Sequence, residues 1–168
     1  MDGDGARAIL TLTIMLQIPK LIDVAQQTTA VIRMRFPSEE CPQHFGPAVA
    51  ELFAELKSQG IEPVGPLFDH HFRAPDTHFD FEIGVPTSES VAPNGRVIPS
   101  VRPAFRAAKA VLIGEYEQLQ EAWPELMEWM AQQGHQPTSD LWQIFASGPD
   151  VDPDPATYRT ELIRGVLC

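Results

Sequence analysis

The chain has 168 residues, 43% of them apolar, and its 23 acidic against 12 basic side chains give a formal net charge of -11. That length fits one domain, or one domain made of two paired halves, with enough apolar content for a core. The acidic balance argues against nucleic acid, whose binders concentrate Lys and Arg to release counterions, and locally favours cationic ligands.

Residues 1–20 read as a flexible N-terminal extension, acidic and Gly-containing over 1–5 and apolar with Thr over 9–16. It lacks the basic flank and cleavage site of a signal peptide. It also falls short of the roughly 18 apolar residues of a membrane span, so no membrane partner is expected. The main body is then residues 21–167.

Residues 29–36 alternate: Val31, Arg33 and Arg35 on one face, Ile32, Met34 and Phe36 on the other. That period of two predicts a half-buried strand. Phe45, Ala48, Val49, Leu52, Phe53 and Leu56 form the stripe of an amphipathic helix, stopped at Gln59-Gly60, because glycine takes the left-handed C-terminal turn at little cost. Strands are expected over 67–74 and 78–86. In the second, Phe79, Phe81, Ile83 and Val85 share the helix-facing side, and Asp80, Glu82 and Gly84 the opposite one.

After a Ser/Pro/Gly-rich linker over 88–95, strands are expected over 96–102 and 104–113. A second helical stripe follows, Leu119, Ala122, Trp123, Leu126, Met127 and Met130, each 74 residues after its counterpart. Pro124 is a misfit inside it. Gln133-Gly134-His135-Gln136-Pro137 repeats Gln59-Gly60-Ile61-Glu62-Pro63 at the same offset. Strands over 141–145 and 157–166, joined by an Asp/Pro loop, close the chain. The chain therefore reads as a duplication, repeat A over 29–87 and repeat B over 96–167.

Parity sets Phe68 and His70 together, Trp142 and Ile144 together, and Glu82 and Glu161 away from their helix-facing neighbours. Two aromatic faces and two acids near a pseudo-dyad suit a flat, apolar, cationic ligand. His70 and His71 point to opposite faces, so they make no metal pair and no metal is expected. Two cysteines, Cys41 and Cys168, give no disulfide framework or metal spacing, which points to a reducing, cytoplasmic compartment. No nucleophile elbow or glycine-rich phosphate loop is present, and no cofactor is expected.

The duplication, the Gly114-Glu115-Tyr116-Glu117-Gln118-Leu119 turn and the closing strand with Glu161 resemble the GyrI-like effector-binding family of the SOUL/GyrI superfamily. The resemblance covers roughly residues 21–167. Two departures stand out: Glu115 replaces the proline usual in that turn, and Pro42 stands where repeat B has Tyr116. No DNA-binding helices precede the match in this sequence, so the expectation is a stand-alone member.

The resemblance implies an α+β fold of duplicated strand–helix–strand-hairpin units. They form a curved antiparallel sheet with two helices on the convex side and a ligand cleft on the pseudo-two-fold axis. It further implies a small-molecule binder for an aromatic or amphipathic compound, cations included, held by Glu161, Trp142, Tyr116, Phe68, Glu82 and His70. The alternative is a hydrolase of strained electrophiles, Glu161 activating water, Tyr116 polarising the leaving atom and Trp142 stacking on the substrate. The last option is a protein-interaction module of gyrase-inhibitor type.

Overall fold

The computed structural model describes residues 15–167. In chain order it contains β1 (Met15–Leu16), β2 (Lys20–Val24), β3 (Gln27–Pro37), α1 (Cys41–Ser58), β4 (Phe68–His71), β5 (His78–Pro86), β6 (Val97–Arg102), β7 (Phe105–Ile113), α2 (Leu119–Gln132), β8 (Pro137–Ser147) and β9 (Arg159–Val166). Among the described residues strand pairing already includes Met15 and Leu16, ahead of the boundary at 21, while residues 1–14 and Cys168 lie outside the described residues.

All strands join one antiparallel sheet in the order β1-β7-β9-β8-β4-β5-β3-β6, with β2 also on β7. The sheet is curved into a half-barrel, and both helices pack on its convex face. Within each repeat the order is the same, β3-β5-β4 and β7-β9-β8, and the copies meet at the β4–β8 pair. There Asp69 lies directly opposite Gln143. These two are also equivalent in the repeat, so the pseudo-two-fold axis passes between them. The edges cross over: β6, the first strand of repeat B, pairs with β3 of repeat A, and β2, ahead of repeat A, pairs with β7 of repeat B.

Both helices stop as their glycines require. Gly60 and Gly134 hold φ of 70° and 78°, and Ile61 and His135 donate back to the carbonyls of Leu56 (2.9 Å) and Met130 (2.8 Å). This is the Schellman closure, repeated in both copies. The stripe on α1 buries Ala48, Leu52 and Leu56 against Ile32, Phe81 and Ile83. The stripe on α2 buries Ala122, Leu126 and Met130 against Ala108, Leu112 and Leu162. Each large side chain so buried contributes about 1.5–3 kcal/mol. Pro124 lies inside α2, which a 3-10 turn over Tyr116–Gln118 precedes.

The helix-free face is not bare. Val31, Phe68, Ala107, Trp142 and Ile163 form a third buried cluster in the hollow of the sheet, flanked by Phe105 and Ile144. Gly84 makes room for it: a Cβ there would lie 2.7 Å from Phe68 Cζ, 2.7 Å from Val31 Cγ1 and 2.8 Å from the Ala30 carbonyl. Gly84→Ala should therefore cost roughly 1–3 kcal/mol, read as a lower urea midpoint. An unchanged midpoint would contradict the packing.

Candidate functional site

The helices sit over the outer strands of their own copies and leave the central β4–β8 pair without a helix above it. The result is a cavity of about 1770 Å³ between them, above the roughly 300–1,000 Å³ usual for small-molecule sites. Its walls are aromatic. Phe45 and Phe53 come from α1, Trp123 from α2, Phe79 and Phe81 from β5, and Phe145 from β8. Phe53 and Trp123, expected as core on their helix stripes, line this cavity, and Phe53 is 38% exposed.

The floor is polar at one point, the pseudo-dyad. Asp69 is 4% exposed. Gln143 Nε2 donates to both of its carboxylate oxygens, at 3.0 Å each. Trp123 Nε1 in turn donates to Gln143 Oε1 at 2.8 Å, which ties α2 to the floor. His71 Nε2 lies 3.5 Å from Asp69 Oδ2 and is its one ion-pair partner among the described residues. The His71 ring stacks on Phe81 with centroids 4.8 Å apart, and its Nδ1 is buried with no partner. A buried carboxylate held mainly by a neutral amide is under-compensated, since desolvated charge is stable only when paired and hydrogen-bonded.

Around the cavity the acids Glu39, Asp76 and Asp150 add to Asp69, and Arg164 is the one Lys or Arg among the lining residues. Burial, and then the Asp69 charge, pushes the Cys41 thiol above its ordinary pKa, so it stays a thiol and is a poor nucleophile. Burial also raises the Tyr116 phenol, with Tyr158 and Asp150 adding to the effect. It remains a hydrogen-bond donor.

Of the six residues expected at the site, the structure places Tyr116 in this cavity, against Phe145 (5.7 Å) and Tyr158 (5.0 Å). Phe68, His70, Glu82, Trp142 and Glu161 share the helix-free face, as parity indicated. Phe68 and Trp142 are 2% and 6% exposed there, so they are core side chains of that hollow. Glu161 pairs with Lys109 at 3.2 Å. Tyr116 thus does not meet Glu161 and Trp142, the combination that the hydrolase alternative requires.

His70 bridges the two copies: Nε2 is 2.7 Å from Asp140, Nδ1 is 3.3 Å from Glu82, and its ring stacks on Trp142 at 3.7 Å. Burial, the largest single influence, lowers its pKa, but the hydrogen bonds and charges of Asp140 and Glu82 together raise it above the ordinary value. The same bond holds Asp140 below the usual carboxylate range. A raised histidine stabilises fully below its unfolded pKa of about 6.5, and that contribution is lost as pH rises through the folded pKa. Urea unfolding at acidic and alkaline pH should therefore show wild type losing its advantage over His70→Gln as pH rises. A pH-independent difference would contradict this.

Sequence reasoning missed Asp69, Gln143 and Trp123. Alternation sets Asp69 with Leu67 and His71 on the helix-facing side, but it does not show that a cavity opens above them.

The profile of the GyrI-like small molecule binding domain matches residues 18–164. No curated protein sequence matches. The EcmrR C-terminal domain is 20% identical with a TM-score of 0.81, covering 91% of this chain and 98% of its own. EcmrR in its DNA complex is also 20% identical, with a TM-score of 0.80 over 98% of this chain. This chain spans 62% of that one. SAV2435 bound to tetraphenylphosphonium is 16% identical, with a TM-score of 0.62, covering 90% of this chain and 94% of its own. At these identities the likeness shows the fold.

Proposed function

This chain belongs to the GyrI-like family of small-molecule binding domains, and from that premise we propose that it binds lipophilic aromatic cations in the cavity between α1 and α2. The observation that carries this reading is Asp69, a buried carboxylate on the pseudo-dyad at the floor of an aromatic cavity. Gln143 and His71 orient it, and a cation desolvated above it would complete its pairing.

Aromatic faces attract such a cation by about 0.5–2 kcal/mol, and more once water is excluded. The rim acids Glu39, Asp76 and Asp150 steer positive charge inward. Tetraphenylphosphonium, held by one protein of the same fold, has this chemistry and serves as the probe. The role in the cell that fits is sensing or sequestering such compounds.

Calorimetric titration tests the reading. Tetraphenylphosphonium should bind saturably and more tightly than neutral triphenylphosphine oxide, and Trp123→Ala should weaken it by removing one wall and the Gln143 tether. Equal affinity for the two probes would remove the charge argument.

A further inference from the structure

On the opposite face from Asp69 the edge of the sheet is broken. β1 and β2 both pair with β7, but the chain between them, through Gln17 and Ile18, does not follow the ladder. The Gln17 amide donates to the Val111 carbonyl at 2.8 Å, and beside it lies a recess of about 170 Å³. Lys20, Lys109, Arg159 and Glu161 line this recess.

Its charge runs against the rest of the molecule. In a chain of net charge -11, three cations converge here around one carboxylate. Lys20 stands directly opposite Lys109 in the register of β2 on β7, and like charges so placed repel. Lys109 is offset by Glu161, Nζ to Oε1 3.2 Å, whereas Lys20 and Arg159 make no ion pair among the described residues. Glu161 is the feature that opposes an anion, and its charge is already taken by Lys109.

We propose that this recess is a second binding site, for a small oxyanion of phosphate or carboxylate type. Lys20 and Arg159 would supply the free positive charge, and the anion would relieve the Lys20–Lys109 repulsion. At about 30 Å³ per water the recess holds roughly six waters' volume, enough for a small oxyanion and far below the size of an aromatic ligand site. This site is independent of the Asp69 cavity.

The test is thermal unfolding of the full chain in inorganic phosphate, in acetate and in chloride, all at one ionic strength. Phosphate should raise the unfolding midpoint saturably beyond chloride, by roughly 3–6 °C at ten times its Kd. A matching response to acetate would show that carboxylate chemistry suffices, and a response to phosphate alone would assign the site to phosphoryl groups. The double variant Lys20→Gln/Arg159→Gln should lose the response. Arg106→Gln, which removes an exposed cation paired with Asp23 on the same sheet edge, should keep it. Equal midpoints in the three salts, or a response that survives the double variant, would overturn the assignment.

Discussion

Asp69→Asn is expected to weaken tetraphenylphosphonium binding by roughly 30- to several-thousand-fold while changing the affinity for neutral triphenylphosphine oxide far less. The reason is charge. Asparagine keeps the shape of the side chain and one carbonyl acceptor for Gln143 Nε2, which now bonds both Asp69 oxygens. What it removes is the negative charge beneath the ligand. Losing one partner of a buried charge pair costs about 2–5 kcal/mol, largely because the other charge is left unpaired, and each 1.4 kcal/mol is about tenfold in affinity. Titration of both probes into wild type and variant checks this. Equal losses for cation and neutral compound would mean that the variant had distorted the cavity.

Trp142→Ala is the second large effect, and it falls on stability. Trp142 is 6% exposed. It packs against Phe68 at 5.3 Å, Phe105 at 6.2 Å and the His70 ring at 3.7 Å, on the face away from the interhelical cavity. Truncating a buried aromatic of this kind costs about 3–5 kcal/mol, which in a chain of this size lowers the unfolding midpoint by on the order of 10 °C. Affinity for tetraphenylphosphonium, measured well below that midpoint, should stay within a few-fold of wild type. A variant that unfolds like wild type but no longer binds would place the ligand among Trp142, Phe68 and Glu161 instead.

Much of the scaffold is legible in the amino-acid sequence. The stripes beginning at Phe45 and Leu119, their glycine stops and their common offset of 74 residues follow from helical periodicity and cap chemistry, both local properties. Strand parity also held: His70 and His71 do face opposite sides, and Glu82 and Glu161 do face away from the helices.

What was not legible depended on where whole elements sit. Each helix lies above the outer strands of its copy, and this long-range placement opens the cavity over Asp69 and Gln143 rather than on the other face. β4 spans only Phe68–His71, too short for alternation to expose a carboxylate on the apolar side. β8 begins at Pro137, through polar Thr138-Ser139-Asp140 and a register shift before Leu141, so periodicity alone marked only its second half. β1 fell within the expected N-terminal extension because its partner, β7, is about 97 residues distant in sequence.

The most direct test of the account is a crystal structure of the protein with tetraphenylphosphonium. The expected result is one ligand between α1 and α2, its phosphorus above the Asp69 carboxylate and its phenyl rings against Phe45, Trp123 and Phe145. Density for the ligand on the helix-free face beside Trp142 and Glu161, with the interhelical cavity holding only solvent, would contradict it.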